Sequence, residues 1–461
     1  MTERMFNQEP KAVPAVQTKF RRIATKIPVP ESLPILRDLA LYEPRSMGGQ
    51  PPVIWDRAEG VNVFDPYGNI WLDFSSGVLV ANAGHAHPQI VEAISREARK
   101  GFLHNYCFPS KIRARLAKRL AGLLPEPLKK VFLLTTGAEA VECVIKLARA
   151  YGAKKGGPNK RYFITFQNAF HGRTLGAQLA GGIADLKGWI GQGDFGFAQV
   201  PFPDGFRVAD TGFDLFLRSL KDLSIAPDTV AAVMSETYQG GGACFMPVEY
   251  AKNLRRWCSE NDALLIFDEV QAGFGRTGTM FGFEHYGVVP DLICLGKGIT
   301  SSLPLSAVVG PPDVMDVFEV RKMTSTHSGN PVCAAAALAS IDVIVSRRLH
   351  ENAREMGALM HARLSELRRR WPSRVGAVHG KGLVAGVHVV RDGALEPDGN
   401  LAFDVVEACL RKGLLMFAPV GLAGATIKIA PPLVITPDAV EEGCAVLAEA
   451  FDEVVGRRDA R

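Results

Sequence analysis

Through its centre the chain alternates short apolar runs with amphipathic stretches, and this alternation constrains the fold more than any other feature. The runs at 131–134, 161–166, 229–235, 263–268, 291–295 and 306–309 have the length of strands. Helical patterns separate several of them, as at 139–151 and 247–260. Strands alternating with helices predict a mostly parallel sheet covered on both faces, and therefore an α/β fold class. Further helices are expected at 88–100, 110–124, 331–345 and 349–370. After Trp371 the pattern reads strand, strand, helix, strand, helix, which describes a smaller α/β unit. Ahead of the centre, 61–64, 65–68 and 70–74 read as strand, turn and strand. Residues 1–50 carry Pro10, Pro14, Pro28, Pro30, Pro34 and Pro44 and read as an extended arm with one short helix.

Composition removes several classes of function. A chain of 461 residues with 47% hydrophobic and 22% charged residues buries a large core and is not intrinsically disordered. A net charge of +5 is thin, and the basic runs at 19–22, 368–370 and 457–458 are short, so no nucleic-acid partner is expected. No run of 18 apolar residues occurs, so no membrane partner is expected either. The first residues lack the apolar core of a secretory signal, and a cytoplasmic location is the expectation. Eight cysteines include no CxxC pair, and several lie inside apolar runs. They read as small buried hydrophobes in a reducing compartment, with no metal site. Neither a P-loop nor a strand followed by G-x-G-x-x-G is present, which argues against a nucleotide-binding protein.

The most specific signal is a pair of segments. Leu264-Leu265-Ile266-Phe267-Asp268 is an apolar strand ending in a carboxylate, and Glu269-Val270-Gln271-Ala272-Gly273 follows it. Leu292-Ile293-Cys294-Leu295 is a second apolar strand, followed by Gly296-Lys297-Gly298. In open α/β sheets ligands bind beyond the carboxyl ends of the strands. A lysine placed there between glycines is a candidate for a Schiff base, and an aspartate nearby can pair with a pyridinium nitrogen. Taken singly, a strand-end aspartate also serves as a helix cap and a lysine as a solvated surface group. Their joint appearance with Gln271 and the glycines is what points to chemistry.

On these residues the sequence resembles the class III aminotransferases, which are pyridoxal-phosphate-dependent enzymes of fold type I and include the omega, ornithine and 4-aminobutyrate branches. The resemblance runs from about Val53 to Phe451, and Lys297 follows Asp268 by 29 positions, which resembles the family spacing. It implies a large domain with a central, mostly parallel seven-stranded sheet and a smaller α/β domain made from both termini. The expected divisions are an arm at 1–50, the first part of the small domain at 51–95, the large cofactor domain at 96–340 and the rest of the small domain at 341–461. It implies pyridoxal 5'-phosphate as cofactor, with pyridoxamine phosphate formed during turnover. Lys297 and Asp268 are then the catalytic pair. Gly137 and Ala138 open a helix after a strand and match the phosphate cup, where free N–H groups favour an anion. Phe170 matches the aromatic residue that stacks on the cofactor ring, and His171 follows it. Glu236, Val270 and Gln271 match the residues around the ring, with Gln271 at the phenolic oxygen. Thr326 matches the threonine that reaches the phosphate of a neighbouring subunit, which implies a homodimer or a larger assembly.

Two positions depart from the ornithine and 4-aminobutyrate branches. Lys428, in Thr426-Ile427-Lys428-Ile429, stands where those branches carry an arginine that grips a carboxylate. A lysine is a point charge and lacks the two-pronged geometry. Gly241 stands where they commonly carry a second glutamate that shields the arginine. Both members of the switch are changed, which argues against ornithine and 4-aminobutyrate as substrates. Val78 replaces a tyrosine and His327 an aromatic residue, while Tyr106 and Tyr238 are expected at the rim. A pocket of Tyr, His, Lys and amide groups suits a hydroxyl-rich amine such as an amino sugar, alongside simple ω-amino acids and aliphatic amines. The implied activity is ping-pong transfer of an amino group between a small-molecule amine and a carbonyl acceptor. The alternative on the same scaffold is an epimerase or racemase that returns the proton to the amine-bearing carbon.

Overall fold

The computed structural model describes residues 4–191 and 193–459, and the chain divides into two compact units. One is Pro88–Glu351, and the other joins the residues up to His87 with those from Asn352 onward.

The unit Pro88–Glu351 is built on a seven-stranded sheet. In spatial order its strands are Lys130–Leu134, Ser306–Gly310, Leu292–Leu295, Leu264–Asp268, Val230–Glu236, Tyr162–Phe166 and Phe197–Val200. From Leu292–Leu295 onward every neighbour is parallel. Ser306–Gly310 alone runs antiparallel to both of its neighbours. Six strands therefore deliver their carboxyl ends to one edge of the sheet. Every residue of Val230–Glu236, Leu264–Asp268 and Leu292–Leu295 is buried. A sheet covered on both faces needs apolar side chains on both, which is why these segments read as continuous runs instead of alternating.

Helix Gly137–Gly156 covers one face. Its Val141, Val144, Ile145 and Ala148 share a core with Ala232, Met234, Ile266 and Cys294. Each buried aliphatic side chain of this size contributes roughly 1.5–3 kcal/mol. The helix starts where it does because Thr136 and Glu139 form a capping box. The Glu139 N–H donates to Thr136 Oγ1 at 3.2 Å, and the Thr136 N–H donates to the Glu139 carboxylate at 2.9 Å. Such a cap contributes about 1 kcal/mol and fixes the first turn in space. Asn330 likewise accepts from the N–H groups of Val332 and Cys333 and starts helix Pro331–Ser346, with Pro331 at the position where its missing N–H is not needed. Strand Phe197–Val200 and helices Leu175–Ala180 and Asp214–Asp222 add to the expected elements.

In the other unit, Ile70–Asp73 is the hub of a six-stranded sheet. It pairs with Asn62–Phe64 and Arg22–Ile23 in antiparallel fashion and with Leu414–Leu415 in parallel. The pair Leu414–Leu415 is a second strand where the sequence after Trp371 predicts only one between two helices; at two residues its pattern is too short to read. Val375–Gly380, Ala385–Val389 and Thr426–Ile429 form a separate antiparallel sheet. Trp71 is buried, and its indole N–H donates to the Leu410 carbonyl at 3.1 Å at the end of helix Gly399–Arg411. Helix Pro437–Asp459 approaches Phe74 so closely that a methyl group on Gly443 would lie 2.0 Å from the ring. The arm before residue 50 carries the helix Leu33–Tyr42 and two short paired strands, Val16–Gln17 and Arg22–Ile23. Among the described residues no helix is long and apolar enough to cross a membrane, and all eight cysteines are free.

Candidate active site

Parallel pairing aligns the strand ends. Asp268 sits opposite Glu236 on one side and Cys294 on the other, and Lys297 comes two residues after the strand Leu292–Leu295. Ser306, the first residue of the antiparallel strand, pairs with Leu134, and its hydroxyl donates to the Thr136 carbonyl at 2.6 Å. Asp268, Glu236, Lys297 and the start of helix Gly137–Gly156 thus share one edge of the sheet.

Each carboxylate at this edge is held by named donors. Asp268 Oδ1 accepts the Val270 N–H at 3.0 Å, and Oδ2 lies 2.9 Å from His171 Nδ1. An ionised carboxylate only accepts, so Nδ1 carries the proton in this pair. Glu236 accepts the N–H of Phe170 at 3.0 Å and that of Gly240 at 2.9 Å. Burial pushes the Glu236 carboxyl above its ordinary range, while His171 and the two N–H donors pull it back. The Lys297 ammonium is held below its ordinary range by burial, against the opposing pull of Asp268 and Glu236. Lys297 also adopts a φ of +44°, a conformation in which a side chain costs energy.

The glycines leave room for a flat ligand. A methyl group on Gly137 would lie 2.9 Å from Cγ1 of Val270, and one on Gly296 would lie 3.2 Å from the same atom. Val270 therefore stands against two glycines whose missing side chains let the backbone close in. A methyl group on Gly240 would meet the Gln271 amide at 2.5 Å and Glu236 at 2.7 Å. Gly137 and Ala138 have backbone N–H groups with no acceptor among the described residues. Uncommitted donors at the start of a 20-residue helix are what a phosphate group requires. A carboxylate for a pyridinium, a desolvated amine, a glycine-lined slot and a phosphate cup all fit pyridoxal phosphate.

The remaining expected residues fall in three places. Tyr238, expected at the rim, is buried, and its hydroxyl donates to the Gln271 carbonyl at 3.3 Å. Burial raises its phenol above the ordinary range. Tyr106, His327 and Thr326 gather on exposed loops: the Tyr106 hydroxyl donates to Thr324 at 3.2 Å, and His327 packs edge-on against His104. Val78 and Lys428 belong to the other unit. Lys428 is buried on strand Thr426–Ile429, opposite Gly386 and on the same face as His388 and Thr426.

Val78 sits in an unusual turn. Ser76, Gly77, Val78 and Leu79 have φ of 50°, 56°, 64° and 62° and form one left-handed turn. Left-handed backbone costs an L-residue roughly 1–2 kcal/mol, and a β-branched valine is the least suited to it. Such a turn persists only where its surroundings over-determine it.

Two residues of the site carry no role in the sequence reading. Glu269 is fully buried beside Asp268. It accepts from the Thr237 hydroxyl at 2.5 Å and from the N–H groups of Gly282 and Phe283 at 2.8 and 2.7 Å. Arg173 is exposed, and its guanidinium lies 5.7 Å from the centre of the Phe170 ring. Among the described residues it makes no ion pair and no hydrogen bond. The signal for Arg173 was its position three residues after Phe170; for Glu269 it was an acidic side chain following a strand that ends in one already.

The family described as Aminotransferase class-III matches residues 45–451. A 4-aminobutyrate aminotransferase of Mycobacterium leprae (strain TN) is 35% identical over 94% of this chain and 98% of its own. An acetylornithine aminotransferase of Agrobacterium fabrum is 37% identical over 88% of this chain and 95% of its own. Among solved structures, a thermostable (S)-enantioselective omega-transaminase from Thermomicrobium roseum superposes with a TM-score of 0.82 at 31% identity, covering 92% of this chain and 98% of that one. With the cofactor slot, the strand-end carboxylates and the lysine in one place, and with a match over most of its length, this chain belongs to the class III aminotransferases, pyridoxal-phosphate-dependent enzymes of fold type I.

Proposed function

We propose that this aminotransferase acts on a primary amine whose far end carries a carboxylate, and that Arg173 binds that carboxylate. The observation that carries the reading is the exposed guanidinium beside Phe170, with no acidic partner among the described residues. An arginine fork matches a carboxylate in two places at once. The relatives named for 4-aminobutyrate and acetylornithine point to the same chemical class. The hydroxyl-rich amine is less well supported, because the Tyr238 hydroxyl it would use is spent on Gln271. Lys428 and Gly241 still separate this chain from the arginine–glutamate switch of the ornithine and 4-aminobutyrate branches.

Bound pyridoxal phosphate supplies an electron sink that makes the carbon beside the substrate nitrogen acidic. The chain supplies the rest. Gly137 and Ala138 would offer N–H groups to the phosphate, Val270 and Phe170 would enclose the ring, and Gln271 would meet its phenolic oxygen. Asp268, fixed by His171 and the Val270 N–H, keeps the pyridine nitrogen protonated by placing a negative charge beside it. Lys297 Nζ would take the proton from the substrate carbon and return it to the carbon on the far side of the substrate nitrogen. A base must be neutral to accept a proton, and burial lowers this amine in the needed direction.

A second copy of the chain is part of this reading. Thr326 lies on an exposed loop, and the same unit exposes the apolar side chains of Leu103, Phe108 and Val320, which a homodimer would cover.

The test compares kcat/KM for a carboxylate-bearing amine and a neutral amine of the same length. Arg173→Met should lower the value for the acid by about 10–100-fold, the size of a lost hydrogen-bonded charge contact, and leave the neutral amine nearly unchanged. Equal losses on both would remove Arg173 from substrate binding.

A further inference from the structure

The peptide unit that joins Gly298 to Ile299, just past Lys297, is pinned at both ends. Its N–H, from Ile299, donates to the Gly296 carbonyl at 3.0 Å and closes a turn around Lys297. Its carbonyl, from Gly298, lies 3.3 Å from the hydroxyl of Ser340 and 3.4 Å from that of Ser301. The two hydroxyls are 2.8 Å from each other, and both serines are buried. Each hydroxyl carries one proton, so one donates to the Gly298 carbonyl and the other to its neighbour, in either order. A peptide unit is planar, and holding both of its ends fixes its orientation.

This turn needs holding. Lys297 and Ser301 both adopt left-handed backbone, with φ of 44° and 53°. Strain of this kind gathers at functional sites and persists because neighbours enforce it. The sign of φ at Lys297 sets the direction in which its side chain leaves the backbone, so a relaxed turn would aim the amine elsewhere. Part of the brace comes from outside the turn. Ser340 lies in helix Pro331–Ser346 and is the only hydroxyl-bearing residue from Pro331 to Val345, in a stretch that includes Ala334, Ala335, Ala336, Ala337 and Ala339. A serine is a poorer helix former than the alanines around it, and its buried hydroxyl must find a partner. One donor satisfies a buried carbonyl. Here two hydroxyls from separate elements converge on the one that follows the lysine.

We propose that Ser301 and Ser340 are positioning residues that brace the strained turn at Lys297 and hold its amine in line for proton transfer. The inference rests on the reading that Lys297 is the base. It does not depend on Arg173, and every residue it uses belongs to the unit Pro88–Glu351.

The experiment compares Ser301→Ala, Ser340→Ala and the double variant with wild type. Each holoenzyme is assayed with one amine and with the same amine carrying deuterium at the reacting carbon. Either hydroxyl alone can still serve the Gly298 carbonyl, so each single variant should lower kcat by about twofold. The double variant removes both donors and should lower kcat by about tenfold or more, beyond the product of the two singles. KM should stay within about twofold, and the deuterium effect on kcat should grow as proton transfer becomes the slower step. A second readout needs no turnover. In the cofactor-free chain the Ile299 amide should exchange about tenfold faster in the double variant, because its hydrogen bond closes the turn. The Val308 amide, on strand Ser306–Gly310, should keep its wild-type rate. Should the double variant fail to fold, Ser340→Ala decides, with Ile299 exchange faster by about twofold or more and Val308 unchanged. Wild-type kcat and wild-type Ile299 exchange in the folded double variant overturn the proposal. Equal acceleration at Ile299 and Val308 reduces the serines to general stability and overturns it as well, and so does a higher KM with kcat preserved. Lys297→Met tests the underlying reading separately. Turnover retained there removes the base, and the proposal goes with it; turnover lost there, with a wild-type double variant, removes the brace alone.

Discussion

His171 Nδ1 and Asp268 Oδ2 lie 2.9 Å apart, both buried, at the carboxyl edge of a parallel sheet. The imidazole and the Val270 N–H each occupy one oxygen of the carboxylate, so Asp268 cannot rotate without breaking a bond. Its charge is therefore fixed in orientation, as a partner for a pyridinium would need. Asp268→Asn should lower kcat by about 10²–10³-fold, the usual cost of removing one pre-organised electrostatic contact from a closed site. His171→Phe should cost less, since it frees the carboxylate but leaves the charge. Steady-state kinetics on the two purified variants checks the order.

Lys297 gives two outcomes from one substitution. Lys297→Met removes the base and should reduce turnover by at least about 10⁴-fold. It should also stabilise the cofactor-free protein at neutral pH. The folded ammonium is held below its ordinary 10.5 by burial, so the unfolded chain binds more protons than the folded one across that gap. Wild-type stability should therefore rise as pH climbs towards 10.5, and the advantage of the variant should shrink over the same range. Denaturant titrations of both apoproteins at several pH values measure it. A wild-type apoprotein as stable as the variant at neutral pH would contradict the desolvated amine.

Glu269 titrates in the opposite sense. Burial raises its carboxyl from 4.5 to about 7, despite the bonds from Thr237, Gly282 and Phe283. The folded state then binds the proton more tightly than the unfolded state. Its contribution to stability is whole below about pH 4.5 and is lost as pH rises to about 7. A shift of this size corresponds to about 3 kcal/mol. In Glu269→Gln the dependence on pH between these limits should flatten by that order, which chemical denaturation at pH 4.5 and 7.5 would show.

The sheet was legible because its central strands are buried on both faces and read as unbroken apolar runs. Leu264–Asp268 also ends in a carboxylate, and Lys297 follows Leu292–Leu295 after one glycine, and that contrast located the candidate site at this edge. Strand direction was not legible. Nothing in Ser306–Gly310 distinguishes an antiparallel strand from its parallel neighbours, because both faces are covered either way. Phe197–Val200 was too short to stand out. Tyr238 is expected at the rim, and only the three-dimensional path shows it buried with its hydroxyl turned to the Gln271 carbonyl. The left-handed turn at Ser76–Leu79 left almost no trace, since three of its four residues are Ser, Val and Leu.

Gly137 provides a test of the slot without touching the chemistry. A methyl group there would lie 2.9 Å from Val270, so Gly137→Ala must displace Val270 or the first turn of the helix. Cofactor affinity should fall by about tenfold or more, in line with the 1–3 kcal/mol typical of overpacking. Val270→Ala in the same chain should recover part of the loss, because the two changes compete for one volume. Equilibrium titration of each apoprotein with pyridoxal phosphate reads the coupling directly.

The central claim is that Lys297 moves a proton from the substrate carbon to the cofactor and so completes a transamination. The most direct measurement is a half-reaction in heavy water. Holoenzyme is mixed with a single carboxylate-bearing amine and no carbonyl acceptor, and absorbance and product mass are followed together. The account predicts loss of the visible cofactor band and one equivalent of carbonyl product per active site. A band that persists while deuterium accumulates at the amine-bearing carbon, with no carbonyl product, would mean that the proton returns to where it came from and would contradict the account.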